Sequence, residues 1–340
     1  MHSLARSFGL VALAVACGNG LSQNEHGNLS ARTLGSLEFE LADRGAPDAG
    51  LLASCGDGSV TKAGEAALQR LPFLQQVTSE TAIIVFKTTQ PGSVNIELTS
   101  TDGALVSNSV SQADPSVADG TQQLVRLEGL QPSHTYCYSL DGLTAAAGFR
   151  TAPDLGSERS VRFVAFGDSG SDDSDQFSLL SQLQTVPFDL IVHTGDLAYE
   201  SGTIAQLDRT VFDVYAPLLR SFALFPVTGN HDYDTNHGAP FMQAFVLPED
   251  GDPTLPERWY SFDWGNVHFV GLDTEQTGDA EAAWLDEDLK QNELPWTIVF
   301  AHRPPYSSGE HGSDAAFRRY FVPVLEKYQV PLVLNGHDHD

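Results

Sequence analysis

Five short blocks carry the residue types that bind metal ions: GDSG with Asp168, GDLAY with Asp196 and Tyr199, GNHD with Asn230 and His231, VFAH with His302, and GHDH with His337 and His339. Each ends an apolar, strand-like run: VRFVAF, FDLIVHT, LFPVT, WTIVFA and VPLVLN. A lone Gly-Asp after a strand is commonly a turn whose aspartate caps the next helix, and a lone histidine before Pro304 and Pro305 is commonly just a strand end. Five ends offering Asp, Asp, Asn-His, His and His-x-His in succession are not explained as turns. They supply carboxylate, amide and imidazole donors to one shared metal site. In an α/β sheet such ends converge, because loops leave the core together at the carboxyl ends of the strands.

The elements that must position these blocks follow from patterning. From Ser160 onward, strand-like runs alternate with helical segments such as DAEAAWLDEDLKQ, where Ala280, Ala283, Trp284 and Leu289 predict a partly apolar face. This predicts an α/β domain over residues 160–340. Residues 68–152 differ: short alternating runs (TAIIVFKTT, SVNIELTS, TQQLVRLEGL, HTYCYSL) are separated by turn pairs such as Pro91-Gly92 and Asp102-Gly103, which predicts an all-β sandwich. Residues 18–67 are rich in Gly, Ser, Asn, Asp and Ala and predict a low-complexity tether. Residues 1–17 read as an export signal, with the apolar run FGLVALAVA ending at the small residues Ala14 and Ala16 before Cys17. That run is too short for a stable membrane span. The same stretch resembles a bacterial lipoprotein signal, in which Cys17 would be acylated, although Ala14 departs from the larger aliphatic residue preferred there.

A net charge of -27 with only 18 Lys and Arg excludes a general nucleic-acid binder, since phosphate backbones are held by cationic side chains. A phosphate ester would need a local attractor, and a bound metal ion is one. Beyond Cys17, Cys55 and Cys137 remain, as a disulfide in an oxidising compartment or as free thiols.

The stretch from RLPFLQQVTSETAIIVFKTT to LEGLQPSHTYCYSL and FRTAP resembles the fibronectin-like domain at the front of purple acid phosphatases. The five blocks, in order, resemble the signature of the calcineurin-like metallophosphoesterases, and the tyrosine three residues after the second aspartate resembles the purple acid phosphatases in particular. The resemblance implies an αββα sandwich of two sheets flanked by helices behind the N-terminal β-sandwich. It implies that Asp196 bridges two metal ions, that Asp168, Tyr199 and His339 complete one site, and that Asn230, His302 and His337 complete the other. Three anionic donors at the first site match iron(III), and two imidazoles with an amide suit a divalent zinc, iron or manganese ion at the second. A tyrosine packed as an ordinary aromatic would instead leave a phosphoesterase with two divalent ions.

The resemblance further places His231 on a substrate phosphate oxygen and His311, nine residues after His302, as proton donor to the leaving alcohol. Histidine is the side chain whose ordinary titration lies near neutrality. A cation-activated water is the expected nucleophile. His193 and His268 lie inside strand-like runs and are expected to be packed there. His237 is expected in a loop, and Asp232 and Arg303 in orienting or surface roles. If His337-Asp338-His339 is extended, the two histidines share a face and Asp338 points the other way. A helical turn after the second strand would put Asp196 and Tyr199 on one face.

The expected function is an exported hydrolase of small phosphate monoesters, with no specific nucleic-acid partner, located in the cell envelope or secreted. Its contact with a membrane would run only through a lipid anchor at Cys17. The rivals are a phosphodiesterase or nucleotide hydrolase of the same superfamily and a non-catalytic lipid-anchored binding protein. Relatives continue past the last block, so the chain is expected to be C-terminally truncated.

Overall fold

The computed structural model describes residues 11–14, 46–251, 254 and 256–339. Alternation of apolar and polar side chains builds two antiparallel sheets in the N-terminal half. One contains Leu68–Gln75 (β2), Ala82–Thr88 (β3), Gln112–Ala113 (β6) and Gln122–Leu127 (β7), in the order β2-β3-β7-β6. The other contains Asn95–Ser100 (β4), Leu105–Val110 (β5), Thr135–Leu140 (β8) and Ala147–Arg150 (β9), in the order β5-β4-β8-β9. Ile84, Phe86, Ile96, Leu140 and Phe149 are fully buried in the core they share.

The C-terminal half contains two further sheets. Val11–Ala14 (β1), Arg162–Phe166 (β10), Leu190–His193 (β11) and Leu224–Pro226 (β12) pair in parallel throughout. Tyr260–Trp264 (β13) runs antiparallel to Val267–Gly271 (β14), which continues in parallel with Trp296–Phe300 (β15) and Leu332–Leu334 (β16). The two sheets meet through aromatic side chains: Phe163 lies 5.3 Å from Phe269, and Phe225 stacks at 3.7 Å on Phe262. Along β14 the strand period shows directly. Phe269 faces the first sheet, while Val270 joins Leu285, Leu289, Phe317 and Phe321 from the covering helices. Leu179 and Leu183 of the helix Ser174–Leu183 belong to the core on the opposite side. The result is the expected layering of two sheets with helices outside.

Two expectations change, and a third lies largely outside the described residues. The tether ends earlier than residue 67: Ala49–Cys55 and Lys62–Ala67 are helices, and Cys55 is disulfide-bonded to Cys137 in β8. Gly148 makes this bond sterically feasible, since a Cβ there would lie 2.9 Å from the Cys55 sulfur. Residues 15–45, with Cys17, lie outside the described residues, as does most of the predicted export signal. Its Val11–Ala14 segment forms the edge strand beside β10. In the helix Asp279–Gln291 the buried stripe is Glu281, Leu285 and Leu289, spaced four apart; of the predicted face Leu289 is buried and Trp284 packs against the same core, while Ala280 and Ala283 are exposed. The Trp284 ring N–H donates to the Asp250 carbonyl.

The two halves are bound by polar groups as well as apolar ones. Arg70, 2% exposed, reaches Asp208 at 2.6 Å and lies 3.9 Å over the Phe212 ring. Gln75 donates to the Leu224 carbonyl, and the Tyr138 hydroxyl donates to the Arg220 carbonyl. Among the described residues no helix is long and apolar enough to cross a membrane.

Candidate metal centre

All five blocks lie just past the carboxyl ends of strands, three in the first sheet (β10, β11, β12) and two in the second (β15, β16). One side chain from each sheet can therefore meet across the seam between them. Glycines bring the loops this close. A Cβ at Gly229 would lie 2.2 Å from Asp196 Oδ1, and one at Gly336 would lie 2.3 Å from Asp168 Oδ2, so the glycines of GNHD and GHDH pack their backbones directly on the carboxylates. Asp168, Asp196 and His337 hold left-handed backbone angles, φ +54°, +53° and +74°, a conformation costly for residues with a Cβ.

One group of donors gathers around Tyr199. Its hydroxyl lies 3.5 Å from Asp168 Oδ1, 3.3 Å from Asp196 Oδ2 and 3.2 Å from His339 Nε2, while His339 Nε2 is 3.2 Å from Asp168 Oδ1. A second group gathers around His302. Its Nε2 is 3.1 Å from Asn230 Oδ1 and 3.4 Å from Asp196 Oδ2, and its ring centre is 5.0 Å from that of His337. Asp196 thus belongs to both groups. One ligand atom each from Asp168, Asp196 and His302 lies within 4.8 Å of the others.

The electrostatics fit a cation. Burial, followed by Asp196 and Asp168, pushes the Tyr199 phenol far above its ordinary range, so nothing in the protein itself ionises it. Burial alone would drive His302 down, but the bond to Asp196 raises it to about 9. His302 Nε2, Asn230 Oδ1 and Asp196 Oδ2 thus converge as donors that would hold a cation. The other ring nitrogen is already committed: Nδ1–H donates to the Thr194 carbonyl at 2.9 Å, which fixes the tautomer a metal ligand needs.

The sequence-predicted catalytic histidines are close by. His231 Nδ1–H donates to the Glu200 carbonyl at 2.6 Å, leaving Nε2 free, and its ring lies 4.6 Å from Tyr199. His311 is exposed and stacks at 4.4 Å on His337. A cleft of about 420 Å³ beside the cluster is lined by Asp168, Tyr199, Glu200, Arg209 and His339. A separate cavity of about 270 Å³, near Leu51, Arg150 and Trp264, includes none of the candidate ligands.

Two local expectations are corrected. The chain does not turn helical between Asp196 and Tyr199; it runs through an irregular turn in which Tyr199 N–H donates to the Gly170 carbonyl. His337-Asp338-His339 is not extended, since β16 ends at Leu334 and His337 is left-handed. That bend sends His337 toward His302 and His339 toward Tyr199.

Supporting residues emerge that spacing did not assign. Asp232 is fully buried and accepts the backbone N–H groups of Leu197, Ala198 and Gly229, tying the second and third blocks together. Burial and the neighbouring Asp196 raise its carboxyl to about 7. Asp338 accepts the His311 backbone N–H at 2.7 Å and the Ser307 hydroxyl. His193 donates from Nε2 to Ser169 and accepts the Gly195 N–H at Nδ1. His268 is packed, as expected, but between two carboxylates, Asp263 at 2.7 Å and Asp288 at 2.8 Å.

Comparisons with known proteins give the family and the fold. A family model described as calcineurin-like phosphoesterase matches residues 161–340. An uncharacterized protein of Mycobacterium tuberculosis is 27% identical over 262 residues, covering 63% of this chain and 49% of its own. Purple acid phosphatase 23 of Arabidopsis thaliana is 25% identical over 257 residues, covering 63% and 56%. The chain thus spans about half the length of the curated relatives it matches. Among solved structures, a purple acid phosphatase from yellow lupin seeds superposes with a TM-score of 0.66 at 22% identity, covering 78% of this chain and 57% of that one, and so shares the fold.

Proposed function

This chain belongs to the calcineurin-like phosphoesterase family, and from that premise we propose that it is an exported hydrolase of small phosphate monoesters built on a dinuclear metal centre of the purple acid phosphatase kind. The observation that carries the reading is the Tyr199 hydroxyl, half-buried within 3.5 Å of two carboxylates and an imidazole. A neutral phenol has one proton to share among these acceptors, whereas a strongly polarising cation would take the phenolate, both carboxylates and the imidazole as ligands together.

In this reading Asp168, Tyr199 and His339 hold an iron(III), Asn230, His302 and His337 hold a divalent zinc, iron or manganese, and Asp196 serves both. Bound there, the ions supply Lewis acidity on the phosphoryl group and activate water for in-line displacement. The remaining residues position and protonate. His231 has its Nδ1–H tied to the Glu200 carbonyl, and as an imidazolium it would donate from Nε2 to a phosphoryl oxygen. His311 is carried by a loop that Asp338 anchors, and from its place on His337 it hands a proton to the departing alcohol oxygen. Thr194 and Asp232 hold the ligands' loops in place.

The Cys55–Cys137 bond supports an oxidising compartment, and hence export. The anchor at Cys17, the export signal itself and the preference for monoesters over diesters are part of the proposal.

The test is the visible spectrum of the metal-loaded protein beside that of Tyr199→Phe. A phenolate-to-iron(III) band is expected in the first and absent from the second. An iron-loaded protein with no such band rejects the first-site assignment. Paired assays with a monoester and a diester of one leaving group test the substrate class, and equal or greater diester turnover overturns it.

A further inference from the structure

The metal centre has a neighbour that the reading above leaves without a role. Arg303 directly follows His302 at the end of β15, with its backbone N–H donated to Thr274 Oγ1 at 3.1 Å. Its side chain is pinned along one edge: Nε and Nη2 donate to the two oxygens of Glu275 at 2.7 and 2.8 Å. Glu275 is itself fixed, its side chain 8% exposed and its backbone N–H donated to Asp273 Oδ1 at 2.8 Å. This two-bond fork leaves the guanidinium little freedom. The third nitrogen, Nη1, faces the cluster and lies 3.2 Å from His337 Nε2.

We propose that Arg303 contacts a non-bridging phosphoryl oxygen of the substrate and makes the centre favour dianionic monoesters over monoanionic diesters, with Glu275 as its positioning residue. The inference rests on the phosphoesterase reading above and deepens it. Neutralising Glu275 needs only the two bonds already made, so the aim of Nη1 at a candidate ligand is a separate fact. A ring nitrogen whose lone pair is given to a cation cannot also accept from Nη1, and the donor is then open to an oxygen of the substrate. His231 and His311 offer donors that a diester and a monoester can share. Arg303 adds a charge-assisted donor, and such a bond strengthens with the negative charge on its acceptor, which is greater on the non-bridging oxygens of a dianion than on those of a monoanion.

The experiment uses the full chain loaded with its metals, as wild type, Arg303→Ala, Arg303→Lys and Glu275→Gln. It reads kcat and KM on nitrophenyl phosphate and on bis-nitrophenyl phosphate, the affinity for inorganic phosphate by calorimetry, and the metal content. For Arg303→Ala, kcat/KM on the monoester is expected to fall about tenfold or more and the phosphate Kd to rise in parallel. Diester turnover falls about threefold at most, at unchanged metal content. Arg303→Lys recovers part of the loss, because the charge remains without the fork, and Glu275→Gln falls between. Equal losses on both esters, an unchanged phosphate Kd, or loss of metal in Arg303→Lys and Glu275→Gln overturns the proposal. A wild type that neither hydrolyses an ester nor binds phosphate overturns the phosphoesterase reading itself, whereas an active wild type with unaffected variants removes only the role of Arg303.

Discussion

The β-sandwich and the metal-centre loops are buried to a similar degree, and burial does opposite things in them. In the sandwich, Ile84, Val85, Phe86 and Phe149 lose water to apolar neighbours, which is favourable in itself, and the Cys55–Cys137 bond closes a loop of 82 residues on top of that. In the centre, Asp196, Asp232 and His302 are at most 1% exposed, and burial there opposes charge. Asp232 is pushed up to about 7 because it sits beside Asp196 in a dry environment. The loops also hold Asp168, Asp196 and His337 in left-handed conformations. Stability is concentrated in one region and frustration in the other, and the frustration coincides with the proposed site.

Asp196→Asn gives the sharpest test of that contrast. It should lower turnover by more than about a thousandfold, since one side chain serves both donor groups. The unfolding midpoint of the metal-free protein should move by less than about 3 °C, because removing the charge also removes its repulsion of Asp232. A collapse of stability would show that the centre is a structural element after all. Next in size, His311→Ala should slow turnover of alkyl monoesters by about a hundredfold or more and of nitrophenyl esters much less, as measured by steady-state kinetics. Equal losses would remove its role as proton donor.

The sandwich gives the mirror image. Replacing Cys55 and Cys137 together by serine should cost about 2–4 kcal/mol in denaturant unfolding while leaving kcat per folded molecule unchanged. A matching loss of kcat would mean that the sandwich tunes the centre. The smallest effect concerns His268, held between Asp263 and Asp288 in the second sheet, remote from the candidate ligands. Burial disfavours its charge, but the two carboxylates raise it to about 9. A raised folded value stabilises fully below the unfolded value of about 6.5 and loses that stabilisation as pH climbs through about 9. Unfolding free energy should therefore drop by about 3 kcal/mol at most between these limits, and His268→Gln should flatten the slope. A wild-type slope that survives the substitution assigns the titration elsewhere.

Much of the centre was legible in the sequence because its signals are local. A strand followed by Gly-Asp, Gly-Asn-His or Gly-His-x-His is written within ten residues, and the five copies announce one another. The α/β pattern and the sandwich pattern were legible for the same reason. The helices Ala49–Cys55 and Lys62–Ala67 were not, since their composition is that of a tether and their order comes from contacts with the sandwich, including the disulfide. The face of Asp279–Gln291 was misread because a buried glutamate counts as polar in any periodicity. Glu281 is inside because its carboxylate accepts the Asp273 backbone N–H.

What the sequence determined by itself was which residue types stand at the five strand ends and the family to which their order belongs. Tertiary structure decided the supporting shell: Asp232 joining two blocks, Asp338 steering the His311 loop, and Glu275 aiming Arg303. It also decided which donors meet. The His337 backbone N–H reaches the Asp168 carboxylate at 3.0 Å across 169 residues, closing the last block onto the first. Donor chemistry is a property of single residues and their nearest neighbours, whereas a hydrogen bond of that span exists only once two sheets have docked and loop closure has been overcome by the buried core between them.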